Sequence, residues 1–398
     1  MKTFLENFER YAVDVILGQR AGRAASLLRG FLYFLSLLYG RIVALRLWLY
    51  EKRIARVHAL GCLVVSVGNL TVGGTGKTPI VETLARRLTD GGRKVAILSR
   101  GYKSTPVPFL QRWHDRLRGR RHASPPRVVS DGKALLLDSA LAGDEPYMLA
   151  KNLRDVVVLV DRDRVKSGLH AIRAFGADTL LLDDGLQYLP LKERLDVVLV
   201  DRESPFANRH LLPRGMLREP PRHLKRADLI FITKCDGSDL APLKAELRAL
   251  NRHAPFIECR HAPLYLEDLH TGARHPLALL QGLRIGALSG IARPESFENG
   301  LRHLGAEIVY ARQFADHHRF HEAELANVLQ RSKARNARAV IVTEKDAVRL
   351  PRLDHPAVPI YFLRVEIETL QGEEILDHLV ARLCAKKGSI PQPAPAAA

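Results

Sequence analysis

A buried-strand pattern that runs directly into a glycine-rich loop and then a helix limits this chain more than any other feature. Residues 63–67 (LVVSV) form a short β-branched run bounded by Gly68, the pattern of a strand covered on both faces. GNLTVGGTGKTP follows at residues 68–79, and then a helical spacing through Ile80, Leu84 and Leu88. Strand, glycine loop, Lys-Thr and helix are the parts of a phosphate-binding P-loop. Its cradle is predicted from Thr71, Val72, Gly73, Gly74, Thr75, Gly76, Lys77 and Thr78. The glycines let backbone N–H groups close on phosphate oxygens, Lys77 reaches the β- and γ-phosphates, and the Thr78 hydroxyl ligates Mg²⁺. One departure stands out: Thr71 occupies the place of the usual first glycine. The loop predicts a bound nucleoside triphosphate but names no reaction, because many activities share it.

Acidic groups downstream narrow the chemistry. Residues 179–182 read as an apolar strand ending in Asp183-Asp184-Gly185, where a strand-tip carboxylate can hold Mg²⁺ beside the loop threonine; a turn or cap aspartate pair has the same letters. AGDEP (142–146) opens a helical pattern through Met148, Leu149 and Leu153. Asp144 is either an N-cap with Glu145 in the first turn or a base that receives a hydroxyl proton. FADHHRF (314–320) is a polar knot between a strand and a helix, with no third metal ligand standing out near its two histidines. TEKD (343–346) follows a strand pattern at 339–342, so its lysine could meet phosphate, and TKCD (233–236) has the letters of a guanine reader.

Charge and cysteines bound the partners. The chain has 398 residues and a formal net charge of +18, which favours anionic partners: nucleic acid, an acidic membrane surface or phosphorylated small molecules. Four dispersed cysteines with no C-x-x-C pair argue for reduced thiols rather than zinc or disulfides. The first residues lack the pattern of a secretory signal. FLYFLSLLYG (31–40) is uncharged but closed by Arg29 and Arg41, about half the length of a spanning segment. With its arginine flanks it reads as a helix lying in a membrane interface; packing on the protein's own core fits the same pattern.

Taken in order, the blocks SVGNLTVGGTGKTP (66–79), LSRGY (98–102), VVSDG (128–132), AGDEP (142–146), LLDDGLQ (181–187), LLPRGMLREP (211–220), FADHH (314–318) and VTEKDAV (342–348) resemble the tetraacyldisaccharide 4'-kinase family of lipid A biosynthesis. The resemblance covers most of the chain from about residue 40 to residue 380. It implies transfer of the ATP γ-phosphate, with Mg²⁺, to the 4'-hydroxyl of tetraacyldisaccharide 1-phosphate, giving lipid IVA. The implied place is the cytoplasmic face of the bacterial inner membrane, with the enzyme peripheral or monotopic. Carried over block by block, it implies that Asp144 and His317 form a base dyad and that Asp183 and Asp184 lie near Mg²⁺ and the phosphates, Asp184 with Thr78 as metal ligands. It also implies that Arg100, Tyr102, Glu145, Arg218 and Glu219 line the substrate cleft. Tyr188 departs from the family's usual histidine, and residues 104–126 form a long basic stretch read as a surface insertion. A Pro/Ala-rich tail follows Lys387 and is expected to be disordered.

The expected architecture is α/β: a P-loop NTPase-type doubly wound, mostly parallel sheet with a second, smaller α/β domain and an N-terminal membrane-associated helix. The expected boundaries are 1–60 for the membrane-associated segment, 61–201 for the kinase core, 202–364 for the second domain and 387–398 for the tail, with the helix at 365–386 returning to the core. Two domains around a cleft would close to exclude water. A lipid substrate and the membrane surface are the expected partners, with no nucleic acid and no obligate protein partner. The alternative is a P-loop regulatory GTPase or metallochaperone-type NTPase, for which TKCD would read the base. An ATPase stimulated by nucleic acid draws only on the net charge.

Overall fold

The computed structural model describes residues 11–101, 125–192 and 195–385; Tyr102, nearly all of the expected insertion and the tail lie outside them. The described strands are, in chain order, β1 (Leu63–Asn69), β2 (Val95–Ser99), β3 (Arg127–Asp131), β4 (Val157–Val160), β5 (Thr179–Asp183), β6 (Leu195–Asp201), β7 (Leu229–Thr233), β8 (Phe256–Asp268), β9 (Arg274–His275), β10 (Arg284–Ser289), β11 (Glu307–Gln313), β12 (Ala339–Thr343) and β13 (Ile360–Gln371). The fold is α/β with mostly parallel pairing. Chain contacts divide it into two units: Met1–Lys77, Asp178–Arg260 and Thr369–Ala398 form the first, and Thr78–Ala177 with His261–Glu368 form the second.

In the first unit the strands lie in the order β8-β7-β6-β1-β5. β1 pairs in parallel with β5 on one side and β6 on the other, with Val67 opposite Asp183. Every residue of β1 is buried, as a central parallel strand requires. Leu70, Val198, Val200, Ile230, Ile232 and Leu247 are among the side chains of this unit's core.

The second unit contains β2, β4 and β3, with β3 antiparallel to β4, and the parallel run β11-β10-β12-β13. Successive residues of β12 alternate between two cores, Val340 and Val342 in one and Ala339 and Ile341 in the other, the period of two that a strand imposes. The helix Lys77–Asp90 buries Ile80, Val81, Leu84, Ala85 and Leu88, one apolar face at helical spacing. The helix Arg164–Phe175 starts on Asp163, whose side chain accepts from Val165 N and Lys166 N, and stops at Gly176 in the left-handed region.

This division differs from the 201/202 and 364/365 boundaries expected from strand–helix alternation. Residues 202–260 fall with β1 because β6 and β7 continue its parallel pairing. Residues 78–177 fall with His261–Glu368. The helix Glu373–Ala385 belongs to the first unit.

Among the described residues of the N-terminal segment the long helix is Arg23–Glu51, of 29 residues. It is long and apolar enough to cross a membrane by length and composition. Its inward face carries buried Ala25 and Ser36. Tyr33 meets the His210 ring edge-on at 5.9 Å, and the Tyr39 hydroxyl donates to the Arg218 carbonyl at 2.9 Å. Its outward face exposes Leu27, Phe31, Phe34, Leu38, Ile42, Leu45 and Trp48, spaced three or four apart as one stripe requires.

Candidate active site

In the first unit the loop after β1 is held by its neighbours before any ligand is considered. Val72 N donates to Met216 O at 2.7 Å and Arg218 N to Leu70 O at 2.7 Å, so the LREP segment backs the loop. The Thr233 hydroxyl donates to the Thr75 carbonyl at 3.2 Å, which places the start of TKCD against the loop. Gly73 and Gly76 take φ of 120° and 79°, values L side chains rarely adopt. A Cβ on Gly73 or Gly74 would meet nothing within 4 Å, so one side of the loop is open.

The cation of the loop is fixed by the strand that precedes it. Lys77 Nζ donates to Asn69 Oδ1 at 3.0 Å and lies 3.4 Å from Asp184 Oδ1. Arg218 Nη1 reaches both oxygens of Asp184 at 2.8 Å. Gln187 donates to Asn69 O at 3.1 Å. Asp183 is buried at the tip of β5, and Asp184 follows it in the left-handed region, φ 55°. Lys77, Asp184 and Arg218 therefore converge. Asn69 and Gln187 lie within the blocks 66–79 and 181–187, and nothing in their spacing marks a side-chain contact.

Glu219 behaves differently from Arg218. It is buried, and its Oε2 binds His223 Nδ1 at 2.7 Å and Arg226 Nη2 at 2.8 Å. Burial pushes its carboxyl up, but His223 and Arg226 outweigh that and hold it below the usual range. In TKCD, Asp236 is bound by Arg202 at 2.6 Å and Ser238 N at 3.0 Å. Arg100 is exposed.

The second unit gathers the other carboxylate. Asp144 opens the helix Asp144–Asn152, where the helix dipole favours negative charge. His317 Nδ1 lies 3.0 Å from Asp144 Oδ2. The adjacent His318 instead places Nε2 2.9 Å from Glu324 Oε2 and stacks on Phe314, so the two histidines have separate partners. Glu145 Oε1 binds Lys345 Nζ at 2.5 Å, which ties TEKD to the GDE block.

Two arginines complete the surroundings of Asp144. Arg349 Nε lies 2.9 Å from Asp144 Oδ2, close but out of line for a hydrogen bond, and Arg319 Nη2 lies 3.7 Å from Oδ1. Burial pushes the Asp144 carboxyl up, while the His317 hydrogen bond, Arg349, the His317 charge and Arg319 pull harder and leave it below its ordinary value. Asp144 is thus held ionised, and His317 Nδ1–H donates to it. Asp144 Oδ1 is buried without a hydrogen-bond partner, leaving it a lone acceptor site. Neither arginine was found by spacing: both pair with Asp144 only through the fold.

A family model described as tetraacyldisaccharide-1-P 4'-kinase matches residues 28–384. The chain belongs to that family. A tetraacyldisaccharide 4'-kinase of Anaeromyxobacter dehalogenans (strain 2CP-C) is 44% identical over 343 residues, covering 85% of this chain and 86% of the relative. One from Syntrophus aciditrophicus is 38% identical, covering 87% and 91%. The crystal structure of LpxK from Aquifex aeolicus in complex with ATP matches with a TM-score of 0.69 at 28% identity, over 89% of this chain and 99% of that one. The chain is a kinase of lipid A biosynthesis that phosphorylates the 4' position of a tetraacylated disaccharide, and the regulatory GTPase and metallochaperone alternative falls with that assignment.

Proposed function

We propose that the phosphoryl donor is ATP with Mg²⁺, that Asp144 and His317 accept the proton of the 4'-hydroxyl, and that the reaction takes place at the cytoplasmic face of the inner membrane and gives lipid IVA. The Asp144–His317 contact carries the reading, because a nucleotide hydrolase has no need of a carboxylate–imidazole pair for a sugar hydroxyl. A sugar hydroxyl is far too weak an acid to ionise at neutral pH, so a base helps mainly as its proton departs in the transition state. Asp144 serves as that base, and His317 orients it and stabilises its charge.

Backbone N–H groups of the 71–78 loop and Lys77 bind the triphosphate and neutralise charge developing on the γ-phosphoryl group. Arg218 and Lys77 share Asp184, and either cation can turn to phosphate when nucleotide enters. The donor set suits Mg²⁺: Asp184, with Asp183 beside it, and the Thr78 hydroxyl offer hard oxygens. Among the described residues no group of three or more His, Cys, Asp or Glu is arranged to hold a metal. Mg²⁺ needs none, since it binds through one or two protein oxygens together with substrate phosphates. The ion would supply Lewis-acid stabilisation of phosphate charge. Arg100, Tyr102 and Glu145 remain candidates for acceptor contacts, while the burial of Glu219 supports a bracing role beneath Arg218.

The helix Arg23–Glu51 would lie in the interface rather than span it. Its inward face is tied to the first unit through Tyr39 and the Tyr33–His210 contact, which a spanning orientation would break. The outward stripe would enter the acyl boundary, each fully buried large side chain contributing roughly 1.5–3 kcal/mol, with Arg23, Arg41, Arg46, Lys52 and Arg53 meeting lipid phosphate. No nucleic acid and no obligate protein partner enters the reading. The test is the regiochemistry of the product: with ATP, Mg²⁺ and tetraacyldisaccharide 1-phosphate in micelles, phosphorus-31 NMR should show a new 4'-phosphomonoester. Release of inorganic phosphate with no lipid product would refute it.

A further inference from the structure

One buried cation is unused by the reading above. The Arg349 side chain is 0% exposed, as is that of Asp346. Its Nη1 donates to the Gly290 carbonyl at 3.1 Å and lies 3.3 Å from Asp346 Oδ1, while its Nε faces Asp144 Oδ2 at 2.9 Å. Asp346 is itself fixed: its Oδ1 accepts from Gly290 N at 3.1 Å, and its Oδ2 accepts from the Thr343 hydroxyl at 2.6 Å. The Gly290 carbonyl that takes Arg349 also accepts from His317 N at 3.1 Å. His317 has φ 63°, a left-handed backbone that a non-glycine residue keeps only when its surroundings hold it there.

We propose that Arg349, locked by Asp346, is a positioning residue for the Asp144–His317 pair, acting on the carboxylate through its guanidinium charge and on the His317 backbone through the shared Gly290 carbonyl. The proposal deepens the dyad reading and rests on it. A buried ion cluster can be structural only, and as such is weak evidence of anything more. Two features separate this one from that case. The guanidinium touches one member of the pair directly and shares an acceptor with the backbone of the other. Its Nη2 is also buried without a hydrogen bond, which a cluster serving stability alone would be expected to satisfy.

The charged groups around Asp144 give the test its sign. His317, Arg349 and Arg319 face it; Asp316 Oδ2 lies 3.9 Å from His317 Nε2, and the Lys345–Glu145 pair adjoins it in sequence through Glu145. With Arg349 made neutral, burial of Asp144 is opposed by fewer cations and its pKa rises. An opposite charge at this range is worth about 1–3 pH units.

The experiment is a carbon-13 carboxyl titration of the full chain, with Asp144 assigned by the loss of its signal in Asp144→Asn, together with kcat against pH. In Arg349→Met the Asp144 titration and the acid limb of kcat should move up together by about one unit or more, with nucleotide KM unchanged. Arg349→Lys, which keeps the charge, should bring the titration back towards that of the unaltered protein. An Asp144 titration in Arg349→Met that overlays the unaltered one would overturn the proposal, even if activity were lost. Should Arg349→Met fail to fold, Arg349→Gln, neutral but still able to donate to the Gly290 carbonyl, takes its place with the same two outcomes. If the unaltered protein made no lipid product, the dyad reading would fall, yet the carboxyl titration would still judge the clamp.

Discussion

The P-loop of the first unit and the Asp144 pair of the second hold charge by opposite means. Around the loop, backbone groups do most of the work: Val72, Leu70 and Thr75 are tied by main-chain and hydroxyl bonds, and the side next to Gly73 and Gly74 is open. Lys77, half-buried, is held between Asn69 and Asp184. Around Asp144 the same task falls to side chains, the half-buried His317 and the buried Arg349, both on Oδ2. An open backbone cradle suits a ligand that arrives already charged. A cluster of charged side chains suits a group whose own protonation must be controlled. The two regions should therefore respond differently to substitution, ionic disruption and pH.

The largest contrast should be kinetic. Asp144→Asn is expected to lower kcat by about 10²–10⁴-fold with nucleotide KM unchanged, whereas Lys77→Ala should lower kcat and raise nucleotide KM together. Steady-state kinetics with ATP varied separate the two, and equal KM effects would erase the distinction.

Stability should differ next. In the second unit Arg364 is buried with Glu82 and Glu344, and Glu366 lies beside it at 3.1 Å. Leaving such carboxylates without their cation costs about 3–5 kcal/mol, so Arg364→Leu should lower the denaturation midpoint sharply. Lys77→Ala should hardly change it. A small effect from Arg364→Leu would mean that the second unit does not depend on its buried ions.

The pH response of the pair is a smaller effect. Asp144 is held below its ordinary value, so its charge contributes stability above the unfolded carboxylate pKa, about 3.9, and that contribution is lost as pH falls through the depressed folded value. The acid limb of kcat assigned to Asp144 should accordingly lie below about 3.9. A limb that stays near 6 in the unaltered protein and vanishes with Asp144 would contradict this. The first unit offers the opposite sign at Asp196, which burial pushes up to about 6 against the Ser66 hydrogen bond. Its contribution is fully present below the unfolded value and is lost as pH rises through about 6. Asp196→Asn should therefore raise Tm modestly at pH 8 and leave it nearly unchanged at pH 4.

The same contrast explains how much could be read from the residues alone. β1, β5, β7 and β12 are contiguous apolar runs, and the loop after β1 is a contiguous glycine-rich stretch, so both were legible. The Asp144–His317 pairing was available only through resemblance to a family, because its partners are 173 residues apart. Arg349 was not legible at all: its local spacing to Asp346 is that of any surface helix pair, and only the fold buries it against Asp144. The division into units follows a different rule from the order of elements. Alternation of strands and helices records the order of elements, but β6 and β7 pair beside β1 according to sheet position.

The central claim is that Asp144 acts in proton acceptance while Lys77 acts on phosphate. The most direct measurement is transfer of labelled γ-phosphate from ATP to tetraacyldisaccharide 1-phosphate in a single turnover, for the unaltered chain, Lys77→Ala and Asp144→Asn, with nucleotide binding measured in parallel. Label should enter the lipid with the unaltered chain alone, and Asp144→Asn should still bind ATP as tightly as the unaltered chain does. Normal labelling by Asp144→Asn, or its loss only through weakened ATP binding, would contradict the account.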